Sequence, residues 1–192
     1  MVCLVFINYL TLGLQNVAHV PGIWSALFWM ALLSALVNAI AKSFIHEKTG
    51  AGIYFYSLAA PTEIILSKIL YGFILCLGIC IVGFLFFSLL LTNPIQDLPL
   101  FSLTLVLAAF GFSASLSILS ALASKTHNGN VVMAILSFPV IIGMLVMCIK
   151  ITKNCIDGLD RSASLDELLT LGAINLLITA VSYLLFPYIW RS

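Results

Sequence analysis

Long apolar stretches separated by short polar segments dominate this sequence and restrict what it can fold into. Of its 192 residues, 62% are hydrophobic and only 8% are charged. Soluble domains are about a quarter charged, so this chain has too few charged residues to cover a surface that faces water. A helix of about 20 apolar residues crosses the hydrocarbon core of a bilayer. The chain is therefore predicted to be a membrane protein built from transmembrane helices.

Six transmembrane helices are predicted, with both chain ends on the same side of the membrane and no division into further domains. Pro21-Gly22 and Asn93-Pro94 interrupt the apolar runs, because proline and glycine end helices. Residues 152–167 are predicted to be a charged loop, and Ser164 to Glu167 fits a capping box that begins the last helix. The predicted spans are residues 2–17, 23–41, 64–91, 100–123, 131–151 and 169–190.

Side chains within the spans are predicted mainly to pack against each other. Span four has small residues at every fourth position, which lets neighbouring helices approach closely; a path lined by hydroxyl groups is the alternative. Trp24 is predicted to join an aromatic belt at the membrane surface. The cysteines are predicted to be buried as small hydrophobic residues. The small residues are Ala109, Ser113, Ser117 and Ala121, and the cysteines are Cys3, Cys76, Cys80, Cys148 and Cys155.

Charge is concentrated in one segment between spans two and three, from Lys42 to Lys68. This segment holds three of the eight basic residues, two of the seven acidic residues and one of the three histidines. Basic residues near span ends favour the cytoplasmic side of the membrane. Five basic residues lie on the side of this segment, and three lie on the opposite side. Residues 42–63 are therefore predicted to be a cytoplasmic segment that meets a soluble partner, and both termini are predicted to be cytoplasmic. The five are Lys42, Lys48, Lys68, Lys125 and Arg191, and the three are Lys150, Lys153 and Arg161.

Sequence patterns of common enzymes are absent from this chain. It has no P-loop, no H-E-x-x-H and no G-x-S-x-G motif, so no catalytic or metal-binding residues are predicted. It has no basic run that could follow the phosphates of a nucleic acid. No aspartate, glutamate or arginine lies in the middle of a span, where proton relays and ion-coupled carriers usually need one. These observations favour a membrane body that receives its energy from another subunit.

Five short motifs follow one another along nearly the whole chain. They are Pro21-Gly22-Ile23-Trp24, Phe44-x-x-Glu47-x-x-Gly50, Leu58-Ala59-Ala60-Pro61 to Ser67-Lys68, Gly111-Phe112 and Leu136-Ser137-Phe138-Pro139. In this order and spacing they resemble the haem exporter permease of cytochrome c maturation, the CcmB family, which has the ABC-2 permease fold. That family usually begins with a charged cytoplasmic helix, so the resemblance implies that such a helix is missing before span one.

The resemblance implies an all-α permease with six transmembrane helices in the bacterial inner membrane. It implies an ABC ATPase subunit and a haem-handling membrane subunit as partners, and pairing of two permease copies within the complex. Haem is implied as the substrate, and no bound cofactor is expected. In this fold, the segment between spans two and three docks on the ATPase. The implied ATPase-coupling residues are His46, Glu47, Lys48, Gly50, Tyr54, Phe55 and Tyr56.

Three other functions are compatible with a charged segment between apolar spans. One is an ABC-2 permease that exports a lipid, a drug or a glycan. Neighbouring genes that encode cytochrome c maturation proteins would argue against it. Another is a membrane scaffold that only assembles its partners, which would work with an inactive ATPase. The third is a carrier driven by an ion gradient, and the lack of charge in mid-span argues against it.

Overall fold

The computed structural model describes residues 21–40, 61–90, 94–124, 129–159 and 161–191. These residues form five α-helices and one short 3-10 helix, and this described part contains no strand. The predicted all-helical class is therefore confirmed. The helices are α1 (Pro21–Ile40), α2 (Pro61–Leu90), α3 (Leu98–Ser124), α4 (Gly129–Asp157) and α5 (Leu165–Arg191), with the 3-10 helix at Arg161–Ser164.

All five α-helices are long and apolar enough to cross a membrane. Large apolar side chains cover the outside of the bundle; Leu89, for example, is 84% exposed and Leu176 is 72% exposed. Lipid stabilises such a surface, whereas water would not. The protein is therefore a polytopic helical membrane protein, as predicted. The first predicted span, residues 2–17, lies outside the described residues.

The bundle has two ends, which we name after a residue at each. At the Asp97 end, α1, α3 and α5 begin and α2 and α4 end. Contacts between Trp24 and Phe87, and the ion pair of Asp97 with Arg161, hold this end together. At the Pro61 end, α2 and α4 begin and the other three helices end. Successive helices therefore run in opposite directions.

Helix α3 is the centre of the bundle. Every residue from Gly111 to Ser120 is buried, and α3 contacts each of the other four α-helices. Small side chains permit this, because helix backbones approach closely only where side chains are small. The predicted packing stripe from Ala109 to Ala121 is buried at all four positions, so the packing prediction is confirmed. The four cysteines in the described part are also buried, as predicted.

An aromatic cluster fills the bundle near the Asp97 end, and it corrects the prediction for Trp24. This side chain is only 2% exposed. Its ring stacks on Phe28 with centroids 5.4 Å apart, and it meets the edge of Phe87 at 5.7 Å. Phe28 also contacts Trp29 and Phe101. Trp24 therefore belongs to the core between α1 and α2 and does not lie in an aromatic belt facing lipid head groups.

The predicted loop at residues 152–167 is wrong for most of its length. Helix α4 continues to Asp157, and helical structure resumes at Arg161. Gly158 ends α4: its φ of 63° is in the left-handed region that glycine adopts easily. The Leu159 N–H then donates to the Asn154 carbonyl at 3.2 Å, which is the Schellman arrangement. Charged residues occur from Lys150 onward, but the helix continues through them to Asp157 and ends only at the glycine.

Candidate functional site

The residues predicted to couple to an ATPase lie outside the described part of the chain. Their assignment therefore stays a prediction. They are His46, Glu47, Lys48, Gly50, Tyr54, Phe55 and Tyr56. The described residues that follow this segment along the chain are the first turns of α2, and these turns show how the segment connects to the bundle.

Helix α2 begins at Pro61 and so includes the last three residues of the predicted coupling segment, residues 42–63. Proline suits the first position of a helix because its fixed φ is helical and its missing N–H is not needed there. Glu63 lies in the first turn and is exposed. A carboxylate at this position is stabilised by the positive end of the helix dipole. One side of these turns faces the bundle, since Ile65 is fully buried and Ile69 is 4% exposed. The start of α2 is therefore anchored in the bundle by its apolar side.

A hydrogen bond and a close contact join the start of α2 to α3. The Ser113 hydroxyl of α3 donates to the Ile69 carbonyl of α2 at 2.7 Å, and this bond is buried. One turn further along α2, Gly72 faces the same serine: a Cβ atom at Gly72 would lie 2.6 Å from Ser113 Oγ. The two helices therefore touch without space for even one added methyl group. We call this contact, formed by Ile69, Gly72 and Ser113, the α2–α3 joint.

Polar residues fasten the helix ends together at the Asp97 end. Arg161 donates to both carboxylate oxygens of Asp97, from Nε at 2.8 Å and from Nη2 at 3.1 Å. Asp97 also accepts from the Leu100 N–H and so caps α3, while Asn154 donates to the Ser164 hydroxyl at 3.0 Å. Helix α5 begins at Leu165, directly after Ser164 of the 3-10 helix, and the Ser164 hydroxyl accepts from Asn154 of α4.

The Asp97–Arg161 pair predicts how stability changes with pH. The hydrogen bond from Arg161 lowers the pKa of Asp97 below its usual value. A carboxyl whose pKa is lower in the folded state stabilises above its unfolded pKa of about 4, and that contribution is lost as the pH falls through the folded value.

We therefore expect Asp97→Asn to lower the unfolding midpoint at pH 7, by a small amount because Arg161 is 66% exposed. The difference from the unchanged chain should shrink below about pH 4. SDS-induced unfolding in mixed micelles over a pH series measures both effects. Asp166→Asn, which removes an exposed acid at the same end, is the charge-matched control. A pH-independent difference would contradict this role of the ion pair.

A buried polar residue that the sequence analysis did not single out lies in the middle of α5. Asn175 is 2% exposed, and its Nδ2 donates to the Leu107 carbonyl of α3 at 2.8 Å. Its Oδ1 is buried without a hydrogen-bond partner. An asparagine ten residues inside an apolar stretch was the available signal, because polar residues in a span usually bind a neighbouring helix.

The chemistry of the described residues is that of a packed bundle with charges at its ends. Within these residues, no group of three or more His, Cys, Asp or Glu side chains is arranged to hold a metal ion. Several exposed charged side chains lie toward the Asp97 end, whereas the exposed Glu63 lies at the Pro61 end; those toward the Asp97 end include Lys150, Lys153, Asp157 and Asp166. Helix-to-helix contacts are the features that this part of the chain displays most clearly.

Antiparallel apolar helices around a central helix of small residues define a polytopic helical membrane protein. The family model described as CcmB protein matches residues 1–186, and the chain therefore belongs to the CcmB family. It is a membrane subunit of the haem-export ABC system of cytochrome c maturation. No curated protein and no solved structure matches this chain.

Proposed function

We propose that this chain couples ATP hydrolysis by a separate ATPase subunit to haem export, or to the release of a haem-loaded chaperone. Residues 42–63 are the segment on which the ATPase acts. The observation that carries the proposal is the α2–α3 joint. Because the last three residues of the segment form the start of α2, a movement of the segment moves the first turns of α2, and the joint passes that movement to α3.

The packing around α3 supports transmission of force. Each of the other α-helices contacts α3, and its second half is buried on all sides. Densely packed interiors have low compressibility and transmit strain. A displacement of α3 therefore reaches α1, α4 and α5, and so the surfaces that face a partner or haem.

The proposed topology follows from charge. Basic residues near the span ends put the Pro61 end in the cytoplasm, which is also the side of the ATPase. The membrane is the bacterial inner membrane, and both termini are cytoplasmic. Within the complex, two copies of this chain pair on two ATPase subunits and contact a haem-handling membrane subunit.

Mutation of the coupling segment tests the proposal. We expect Glu47→Ala and a triple alanine variant of Tyr54, Phe55 and Tyr56 to release the ATPase, since buried aromatic residues at an interface often contribute 2 kcal/mol or more each. A loss of about 2 kcal/mol weakens binding roughly thirtyfold. Co-purification of the ATPase in mild detergent and the yield of mature cytochromes c are the measurements. Asp166→Ala, at the other end of the bundle, is the control.

Two outcomes would contradict this function. If the ATPase still co-purifies with both variants and cytochromes c still mature, residues 42–63 are not the docking segment. If an ATPase subunit that cannot hydrolyse ATP supports normal maturation, the chain acts as an assembly scaffold and not as a coupled permease.

A further inference from the structure

The exposed face of α4 is apolar for most of its length and then carries two lysines. Exposed side chains recur along this helix every three or four residues, so they form one continuous stripe. Its apolar members belong to the surface that faces lipid, since Ile135 and Phe138 are exposed for most of their area. The stripe continues toward the Asp97 end through Ile142, Val146, Lys150 and Lys153.

The charges of the two lysines are not neutralised by neighbouring side chains. Both lysines are exposed, and neither forms a salt bridge within the part of the chain that the structure describes. Arg161, by contrast, is bound to Asp97. Lys153 follows Lys150 by three residues, a spacing that places two side chains next to each other on one helix face. Two positive charges are therefore available to bind one anion.

The position of the lysines on α4 brings their charges to the end of the apolar stripe. Both belong to the part of α4 that is long and apolar enough to cross a membrane. A lysine in such a helix keeps its methylene stem against apolar side chains and extends its ammonium group toward water. The nearer end of α4 is at Asp157, seven residues or about 10 Å beyond Lys150. Both ammonium groups therefore lie where the stripe approaches the Asp97 end.

A phospholipid matches an apolar stripe that ends in two cations. Its acyl chains cover apolar side chains, and its phosphate carries the negative charge that lysine binds as a point charge. A soluble anion would meet the lysines and leave the apolar residues uncovered. A partner helix would cover the apolar residues and take two cations out of water, which is unfavourable without new ion pairs. A lipid head group leaves both ammonium groups in contact with water.

We propose that Lys150 and Lys153 bind the phosphate of an anionic phospholipid whose acyl chains lie along the exposed face of α4. A net negative head group is favoured because two lysines attract it together. Asp157, which follows Lys153 by one turn on the same stripe, repels the phosphate and limits the affinity. This lipid site is a property of the chain itself and does not depend on coupling to an ATPase.

Titration of phosphatidylglycerol into the full chain in mild detergent tests the proposal, with bound lipid counted by native mass spectrometry. The double variant Lys150→Gln with Lys153→Gln should bind this lipid about thirtyfold more weakly than the unchanged chain, since each lysine near an anionic lipid contributes about fivefold. Phosphatidylcholine, which has no net charge, should bind both chains equally and weakly. Added salt should weaken the binding of phosphatidylglycerol to the unchanged chain, because ions screen exposed charges.

Two further variants separate charge from side-chain shape. Lys150→Arg with Lys153→Arg keeps both positive charges and should keep the preference for phosphatidylglycerol. Asp157→Asn removes the repelling carboxylate and should strengthen the binding of this lipid by up to about fivefold, the effect of one charge near an anionic head group.

Three results would overturn the proposal. The first is equal binding of phosphatidylglycerol to the unchanged chain and to the double glutamine variant; if that variant also loses another subunit from the complex, the face is a protein interface instead. The second is equal binding of phosphatidylglycerol and phosphatidylcholine to the unchanged chain. The third is displacement of phosphatidylglycerol by inorganic phosphate at matched ionic strength, which would assign the lysines to a soluble anion. If the double glutamine variant does not accumulate, Asp157→Asn decides: stronger binding supports the site, and unchanged binding overturns it.

Discussion

Replacement of Gly111 by alanine is expected to lower the free energy of unfolding by about 1–3 kcal/mol, the usual cost of adding a methyl group to a filled core. The new Cβ would occupy the space of Asn175 Oδ1 and of the Met144 methyl. Met144 can rotate its flexible end away. Asn175 cannot do so without releasing the Leu107 carbonyl, its hydrogen-bond partner on α3. Helix α5 would therefore lose its polar contact and be pushed from α3.

A second substitution separates this overlap from a general intolerance at Gly111. In an Asn175→Ala background, the amide is gone and the methyl group added at position 111 enters the vacant space. We expect Gly111→Ala to cost at least about 1 kcal/mol less in that background than alone, which is a coupling typical of residues in contact. Gly172→Ala should be neutral or stabilising by up to about 1 kcal/mol, because alanine favours helices over glycine. The cycle is measured by SDS unfolding of the unchanged chain, Gly111→Ala, Asn175→Ala and the double variant. An equal loss of stability from Gly111→Ala in both backgrounds would contradict the contact.

The class of this fold could be predicted from the sequence because lipid imposes a simple rule. A span must be apolar and helical, and few charges remain for anything else. Helix starts were also predictable where a local signal exists. Asp97 caps α3, and Glu63 lies in the first turn of α2. The small residues from Ala109 to Ala121 were predicted to permit close helix packing, and all four are buried in the helix that contacts each of the others.

Other features depend on contacts that no local pattern contains. Trp24 satisfies the pattern of an interfacial aromatic residue, yet Phe28 and Phe87 enclose it from two helices. Charged residues from Lys150 onward do not end the helix, which continues to Asp157, so the predicted loop was too long. Gly158 could have corrected it, because glycine is a common residue just past the end of a helix. The role of Asn175 in packing is apparent only from its close contact with Gly111 of α3.

The candidate site, too, was only partly predictable from the sequence. The charge of residues 42–63 and the family resemblance predict where an ATPase acts, and residues 42–60 of that segment lie outside the described residues. The sequence identified Ser113 as a small packing residue. It did not indicate that this hydroxyl meets the Ile69 carbonyl 44 positions earlier, because that pairing arises only when α2 and α3 pack. The structure thus adds the joint on which the proposed coupling depends.

That joint gives the second large expected effect, from Gly72→Ala. The added Cβ would lie 2.6 Å from Ser113 Oγ. The serine must then turn away and lose its bond to Ile69, or α2 must move from α3. We expect a loss of about 1–3 kcal/mol in stability and a several-fold lower yield of mature cytochromes c, with the ATPase still bound. Bound ATPase with impaired maturation would show that docking and coupling are separate properties of this chain.

Removal of the obstructing hydroxyl should reverse the damage. In a Ser113→Ala background, the atoms nearest to a Cβ at Gly72 are the Cβ at position 113, at 3.6 Å, and Ser117 Oγ, at 3.7 Å, which are ordinary contacts. Ser113→Ala alone loses one hydrogen bond between membrane helices, worth about 0.6 kcal/mol on average. The double variant should therefore be no less stable than Ser113→Ala and should mature more cytochrome c than Gly72→Ala. Gly78→Ala on the same helix, with nothing within 4 Å of its added Cβ, is the matched control. If Gly78→Ala is as harmful as Gly72→Ala, or if Ser113→Ala does not rescue Gly72→Ala, then force does not pass from α2 to α3 at this joint.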